Sequence, residues 1–152
     1  PPETITNLSK KYKRHILSNP EFLREATRLT DFINPDRIVI GECCKKHGDM
    51  LEELYKPFQA LIVRVDTTTS EVLKLTCNAY LSTIISFWNE IYNICRRIRV
   101  NSHVVGKIAS MDKRITSYGA TQHGKKFGGF CLPKDLKAFI KFAEYLKYIQ
   151  NY

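Results

Sequence analysis

The chain has 152 residues, 43% of them hydrophobic, enough to build a core and too many for a disordered chain. Its net charge of +9 favours an anionic ligand, either nucleic acid or a phosphate-bearing metabolite, unless the cations only solvate helix faces and helix ends. The most apolar run, residues 79–95, carries Asn89 and Glu90 and is too short for a bilayer, so no membrane span is expected.

The opening stretch, PPETITNLSKKYKRHI, leads from two prolines into an amphipathic helix pattern. HILSNPEFL reads as a strand ending at the Asn19-Pro20 turn. TDFINPDRIVIGE gives a short helical turn, a second Asn-Pro break, and a strand over Arg37–Gly41. GDMLEELYKPF reads as a helix, with Asp49 early in it and Pro57 stopping it. QALIVRVD is a third strand. Strand and helix alternate to about residue 66, which argues α/β, but three strands make a small sheet. The first sixty-odd residues therefore read as the end of something larger.

The period then changes. Leu73, Cys77, Tyr80, Ile84, Phe87, Ile91, Ile94 and Ile98 recur at spacings of 4 and 3, which predicts one helix over 67–99. It is also apolar off that stripe, at Leu75, Ala79, Leu81, Ile85, Trp88 and Tyr92, so it must be covered on several sides. A shorter helix over 102–111, a glycine-bearing loop over 116–129 and a last helix from Pro133 complete the chain. Those two helices suffice for one stripe, leaving Trp88, Tyr92 and nearby aliphatic residues for another molecule. A two-fold homodimer through helix 67–99 is the expectation.

Among residues that carry chemistry, Cys131 in KFGGFCLPKD comes first. Pro133 suits a first helical turn, so Cys131 lies at or just before a helix N-terminus, where positive partial charge favours a thiolate. Lys134 acts in the same direction, and Gly128 and Gly129 let backbone approach a ligand. A small buried hydrophobe beside a loop is the other reading, and local chemistry leaves both open. Lys74 and Asn78, spaced i, i+4, point the same way and suit oxyanion stabilisation, or are a plain surface pair. Glu21 and Glu25 follow a strand end and suit water activation, or are two exposed carboxylates. Adjacent Cys43 and Cys44 with His47 lack the paired spacing of a zinc site, so no metal is expected. Five cysteines without a CxxC pair read as reduced thiols of a cytoplasmic protein. No GxGxxG and no Walker A motif occurs.

Taken together, PPETITNL, SNPEFLREATRLTDFINPDRIVIG, LYKPF, SEVLKLTCNAYLSTIISFWNEI, MDKRI and FGGFCLPKDLKAFI resemble, in order, the UDP-glucose/GDP-mannose dehydrogenase family. The resemblance implies an enzyme that oxidises the C6 alcohol of a nucleotide sugar to a carboxylate with two NAD in succession. It implies a fold of α/β followed by all-α: a partial Rossmann-like segment over 1–66, then a helical dimerisation domain with the catalytic cysteine loop over 67–152. By resemblance, Cys131 is the nucleophile that forms a thiohemiacetal and then a thioester. Lys74 and Asn78 stabilise the oxyanion, Asp135 works with water in proton transfer, and Glu21 assists thioester hydrolysis. Phe22, Leu23 and Glu25 join Arg114 in contacting the substrate, Arg114 from the neighbouring subunit. Phe127, Gly128 and Gly129 cover the sugar, and Lys134 faces the cofactor. The CLPKD form points towards UDP-sugars.

The resemblance also implies a fragment. The glycine-rich NAD loop and the family's C-terminal domain are missing from these residues, so the chain alone is expected to bind NAD poorly and to lack turnover. A non-catalytic dimerisation or binding module derived from the family is the alternative. A nucleic-acid-binding domain is set aside, since no aromatic-basic platform or reading helix is present.

Overall fold

Residues 1–121, 123–124 and 129–147 are described in the structure, a computed structural model. Phe127, Gly128 and the Lys125–Lys126 pair lie outside the described residues. The chain divides into two compact units, Pro1–Thr76 with Ala138–Tyr152, and Cys77–Lys137. The order of elements is that of a partial Rossmann-like α/β segment followed by helices.

In the first unit, α1 (Thr4–Tyr12) is followed by α2 (Arg28–Ile33), β1 (Ile38–Glu42), α3 (Lys45–Tyr55), β2 (Ile62–Asp66) and the start of α4 (Thr67–Arg97). β1 and β2 pair in parallel, Ile38 opposite Ile62 through Glu42 opposite Asp66, with α3 as the crossover. Parallel pairing requires such a crossover and suits a strand apolar on both faces. Val39 and Ile40 are accordingly fully buried. Arg64 on β2 bonds Glu42 on β1 and both Asp49 and Glu52 on α3, tying the three elements by charge.

The expected first strand is not a strand. Only Ser18 pairs, antiparallel to Gly41, through bonds of 2.8 and 2.7 Å. Pro20 lacks the N–H that the next ladder bond needs, so the pairing stops there. Gly41 is required at this crossing, since a Cβ on it would lie 2.6 Å from Ser70 Cβ and 2.8 Å from Ser18 Cβ. The helix expected to open at Gly48 starts three residues earlier, at Lys45.

Asp66 caps α4, accepting a 2.9 Å bond from Thr69 N. The other end closes at Arg97, two residues before the expected Arg99. There Val100 N donates to Cys95 O and Arg99 N to Arg96 O, with Arg99 in the left-handed region at φ +58. This is a Schellman closure, and it fixes the helix end.

The second unit holds most of α4, then α5 (Ser102–Ala109) and the first turns of α6 (Cys131–Tyr145). Asn101 caps α5, its side chain accepting from His103 N and Val104 N. Gly106 packs on the Ala120 carbonyl with no room for a methyl. Trp88 is 5% exposed and packs beside Gly119 and His123. The expectation that Trp88 is left for another molecule is therefore corrected. The residues left outside belong to the other stripe: Tyr80, Phe87, Ile94 and Ile98 are 56, 55, 54 and 64% exposed. Small polar Ser82 and Asn78 line the inward face between them, because a close helix contact needs small side chains and satisfied polar groups.

Candidate active site

Cys131 is the first residue of a 15-residue helix, at the end where backbone N–H groups lack intrahelical partners. It is exposed. The backbone enters the helix through Gly129 at φ +77, a conformation glycine adopts without strain. One turn along, Asp135 is buried and accepts a 2.6 Å hydrogen bond from Asn78 Nδ2. Lys134 Nζ lies 3.3 Å from the other carboxylate oxygen of Asp135, with its own side chain largely in solvent. Asn78 is held in turn by its place on α4, where Ser82 Oγ donates 2.8 Å to its carbonyl. A buried carboxylate with amide and ammonium partners thus stands one turn from an exposed thiol. Such a set can hold and move a proton near a nucleophile.

In the first unit, Lys74 and Glu21 meet. Lys74 Nζ donates to the Glu21 backbone carbonyl at 2.6 Å and to its carboxylate at 3.1 Å. The Lys74 side chain is only 19% exposed, so it is not the plain surface lysine of the blander reading. Its ammonium also lies 5.5 Å from the Phe22 ring centre, and the Arg37 guanidinium lies 4.3 Å from the same ring. Two cations against one aromatic ring hold the NPEFL turn by charge–π attraction. Leu23 N closes the turn onto Glu21 Oε2 at 2.7 Å. Pro20, Glu21, Phe22, Leu23, Arg37 and Tyr55 contribute to one pocket. Glu25 is exposed and opens a 3-10 turn over Glu25–Thr27. Behind it, Asp31 accepts from Arg24 and Thr27, and the Arg24 guanidinium holds its carboxyl well below the usual range.

Comparison with known proteins decides the family. Residues 68–152 match the model of the UDP-glucose/GDP-mannose dehydrogenase family, central domain, and residues 3–59 match that family's NAD binding domain. The chain belongs to the UDP-glucose/GDP-mannose dehydrogenase family. It is 41% identical over 137 residues to UDP-glucose 6-dehydrogenase YwqF of Bacillus subtilis, covering 90% of this chain and 31% of the relative. It is 42% identical over 121 residues to GDP-mannose 6-dehydrogenase of Pseudomonas savastanoi pv. phaseolicola, covering 79% of this chain and 28% of that one. A solved UDP-glucose dehydrogenase from Pyrobaculum islandicum aligns with a TM-score of 0.82 at 39% identity, over 88% of this chain and 31% of that one. The chain thus spans about a third of the length of the relatives it matches.

Within this dehydrogenase-family chain, Arg114 stands apart from the pairs above. It is 88% exposed and fastened to Asp112, Nε to Oδ1 at 3.0 Å and Nη2 to Oδ2 at 2.6 Å. The guanidinium holds the Asp112 carboxyl below its ordinary value. Arg37, Asp31 and Ser82 support the site residues and were not singled out from sequence. A recognisable signal existed for Asp31, four residues after Thr27 and so on one helix face with it. Arg37 had none. The fold also changes the account of Cys43, Cys44 and His47, because it brings His15 to them as a fourth donor.

Proposed function

We propose that this chain is the nucleophile-bearing part of an NAD-dependent nucleotide-sugar 6-dehydrogenase of the UDP-glucose 6-dehydrogenase type. The observation that carries the reading is Cys131 at the head of α6, one turn before a buried Asp135 bonded to Asn78. In such an enzyme NAD takes up the hydrides of the two oxidations. The described residues supply one parallel β1–α3–β2 unit, and the sequence has no GxGxxG motif, which supports the expectation that the 152 residues alone bind NAD poorly. The chain by itself is therefore expected to form no NADH with any nucleotide sugar, and steady NADH production from it contradicts the proposal.

Cys131 adds to the aldehyde carbon: the thiol proton leaves, a C–S bond forms, and the carbonyl oxygen takes the charge. Lys74 and Asn78 supply ammonium and amide donors suited to that oxyanion. Asp135 exchanges protons through water, and Glu21 assists water when the thioester is hydrolysed. Phe22, Leu23, Glu25 and Gly129 would contact the substrate, and Lys134 would face NAD when the cofactor is bound in the whole enzyme. A homodimer through helix 67–99, with Arg114 reaching the neighbouring subunit's site, belongs to the same proposal. Its support is the exposed stripe at Tyr80, Phe87, Ile94 and Ile98, together with exposed Val104 and Ile108 on α5 and Met111 just beyond its end. Five free thiols suit a reducing, cytoplasmic compartment.

The same exposed surface favours the second reading, a dimerisation module without catalysis. Alkylation at neutral pH, mapped by mass spectrometry over all five cysteines, separates the two. The catalytic reading expects Cys131 to be labelled first and buried Cys95 last. A clear lead for Cys77 or Cys43 removes the physical basis of the nucleophile assignment.

A further inference from the structure

We propose that His15, Cys43, Cys44 and His47 form a tetrahedral zinc site that staples the segment after α1 to the turn between β1 and α3. It lies wholly in the first unit and is independent of the dehydrogenase reading. The four donor atoms lie within 4.8 Å of one another. Cys44 Sγ is 2.9 Å from His47 Nδ1, and Cys43 Sγ is 3.7 Å from His15 Nδ1 and 3.9 Å from His47 Nδ1. Zinc bonds of about 2.3 Å to sulfur and 2.0 Å to nitrogen put tetrahedral donors roughly 3.3–3.8 Å apart. Small rotamer adjustments therefore bring all four onto one ion.

Three further observations point the same way. Both imidazoles turn Nδ1 to the sulfurs while their rings stack at a centroid distance of 4.5 Å, so all four donor atoms converge on one point. Cys44 stands at the N-cap of α3 in extended conformation but makes no capping bond, so its sulfur is available. No carboxylate belongs to the cluster, and a donor set of two thiolates and two imidazoles selects zinc over hard cations.

His15 comes 28 residues before Cys43, so the sequence separation hides the fourth ligand. The fold brings it there through the Ser18–Gly41 pairing, which lays residues 15–18 beside the end of β1. Binding releases two thiol protons and closes a loop that the unfolded chain leaves open, so the ion stabilises the folded state.

The test uses the 152-residue chain, reduced and metal-free, titrated with cobalt(II) and then with zinc. The expected result is one tightly held cobalt, with intense tetrahedral d–d bands and a thiolate-to-cobalt charge-transfer band, displaced by zinc. C43S and C44S each weaken that band. H15A lowers affinity at least about tenfold, whereas H15C rebuilds a tetrahedral site with a stronger charge-transfer band. Zinc raises the thermal midpoint of the chain and of H15C more than that of H15A. A weak octahedral spectrum, an unchanged spectrum in C44S, or equal affinity in H15A overturns the proposal. So does a Cys43–Cys44 disulfide that persists under thiol reductant.

Discussion

The two units differ in what they hide. The first buries Ile38, Val39 and Ile40 in a parallel strand and satisfies its charges in clusters around them, at Arg64, Arg24–Asp31 and Lys74–Glu21. The second buries Asn78, Ser82, Ser102, His123 and Asp135, and shows solvent Tyr80, Phe87, Ile94, Val104, Ile108 and Met111. Both units show large apolar residues to solvent, Leu29, Ile33, Leu54 and Leu61 among them in the first, so the difference lies in the second unit's larger share of buried polar groups. Trp88, Cys95 and Ala120 alone are its buried apolar residues among those described. The first unit is centred on an apolar strand; the second is centred on satisfied polar contacts.

That contrast can be broken or sharpened by mutation. The largest effect is expected in the first unit, where Ile40→Ala opens a cavity at a fully buried position and costs about 4 kcal/mol in chemical denaturation. A loss near zero would show that β1 is not the core. Next, Asn78→Ala leaves the buried Asp135 carboxylate short of a donor and costs about 3 kcal/mol. The double variant Asn78→Ala/Asp135→Leu recovers part of that loss, and strictly additive losses would deny the coupling. The smallest change in the stability of one chain is expected for Phe87→Glu, within about 0.5 kcal/mol, because the residue is already half in solvent. Its effect is on association. Sedimentation equilibrium at micromolar concentration should show the parent as a dimer and the variant as a monomer, and a monomeric parent defeats the dimer.

The sequence made some of this contrast visible and concealed the rest for physical reasons. The 4-3 spacing located α4 and its stripe, yet a helix with two apolar faces does not say which of them its own chain will cover. Trp88 and Phe87 are adjacent, and they end on opposite sides of that choice. Alternation suggested a strand before Pro20, but propensity does not count ladder partners, and only Ser18 found one. The resemblance named Asn78 and Asp135 separately. Their hydrogen bond spans 57 residues, a separation no local pattern encodes. The fourth donor beside Cys43 was hidden in the same way. Side chains on neighbouring turns, such as Lys74 and Asn78, were legible as a pair on one helix; the Lys74 bond to Glu21 across 53 residues was not.

The hydrogen bond between Asn78 and Asp135 also bears on how such a loop can evolve. It moors the first turn of α6 directly to α4, so the position of the Cys131 sulfur is set by a rigid strut rather than by the thread of chain leading up to it. Residues can be gained or lost between Arg114 and the packed Gly119 while the sulfur stays where it is, since each doubling of a loop's length adds only about 0.6 kcal/mol of closure entropy. Sequence variation can therefore accumulate in that short stretch without moving the sulfur, whereas Ala120 and His123 beyond it are fixed by packing.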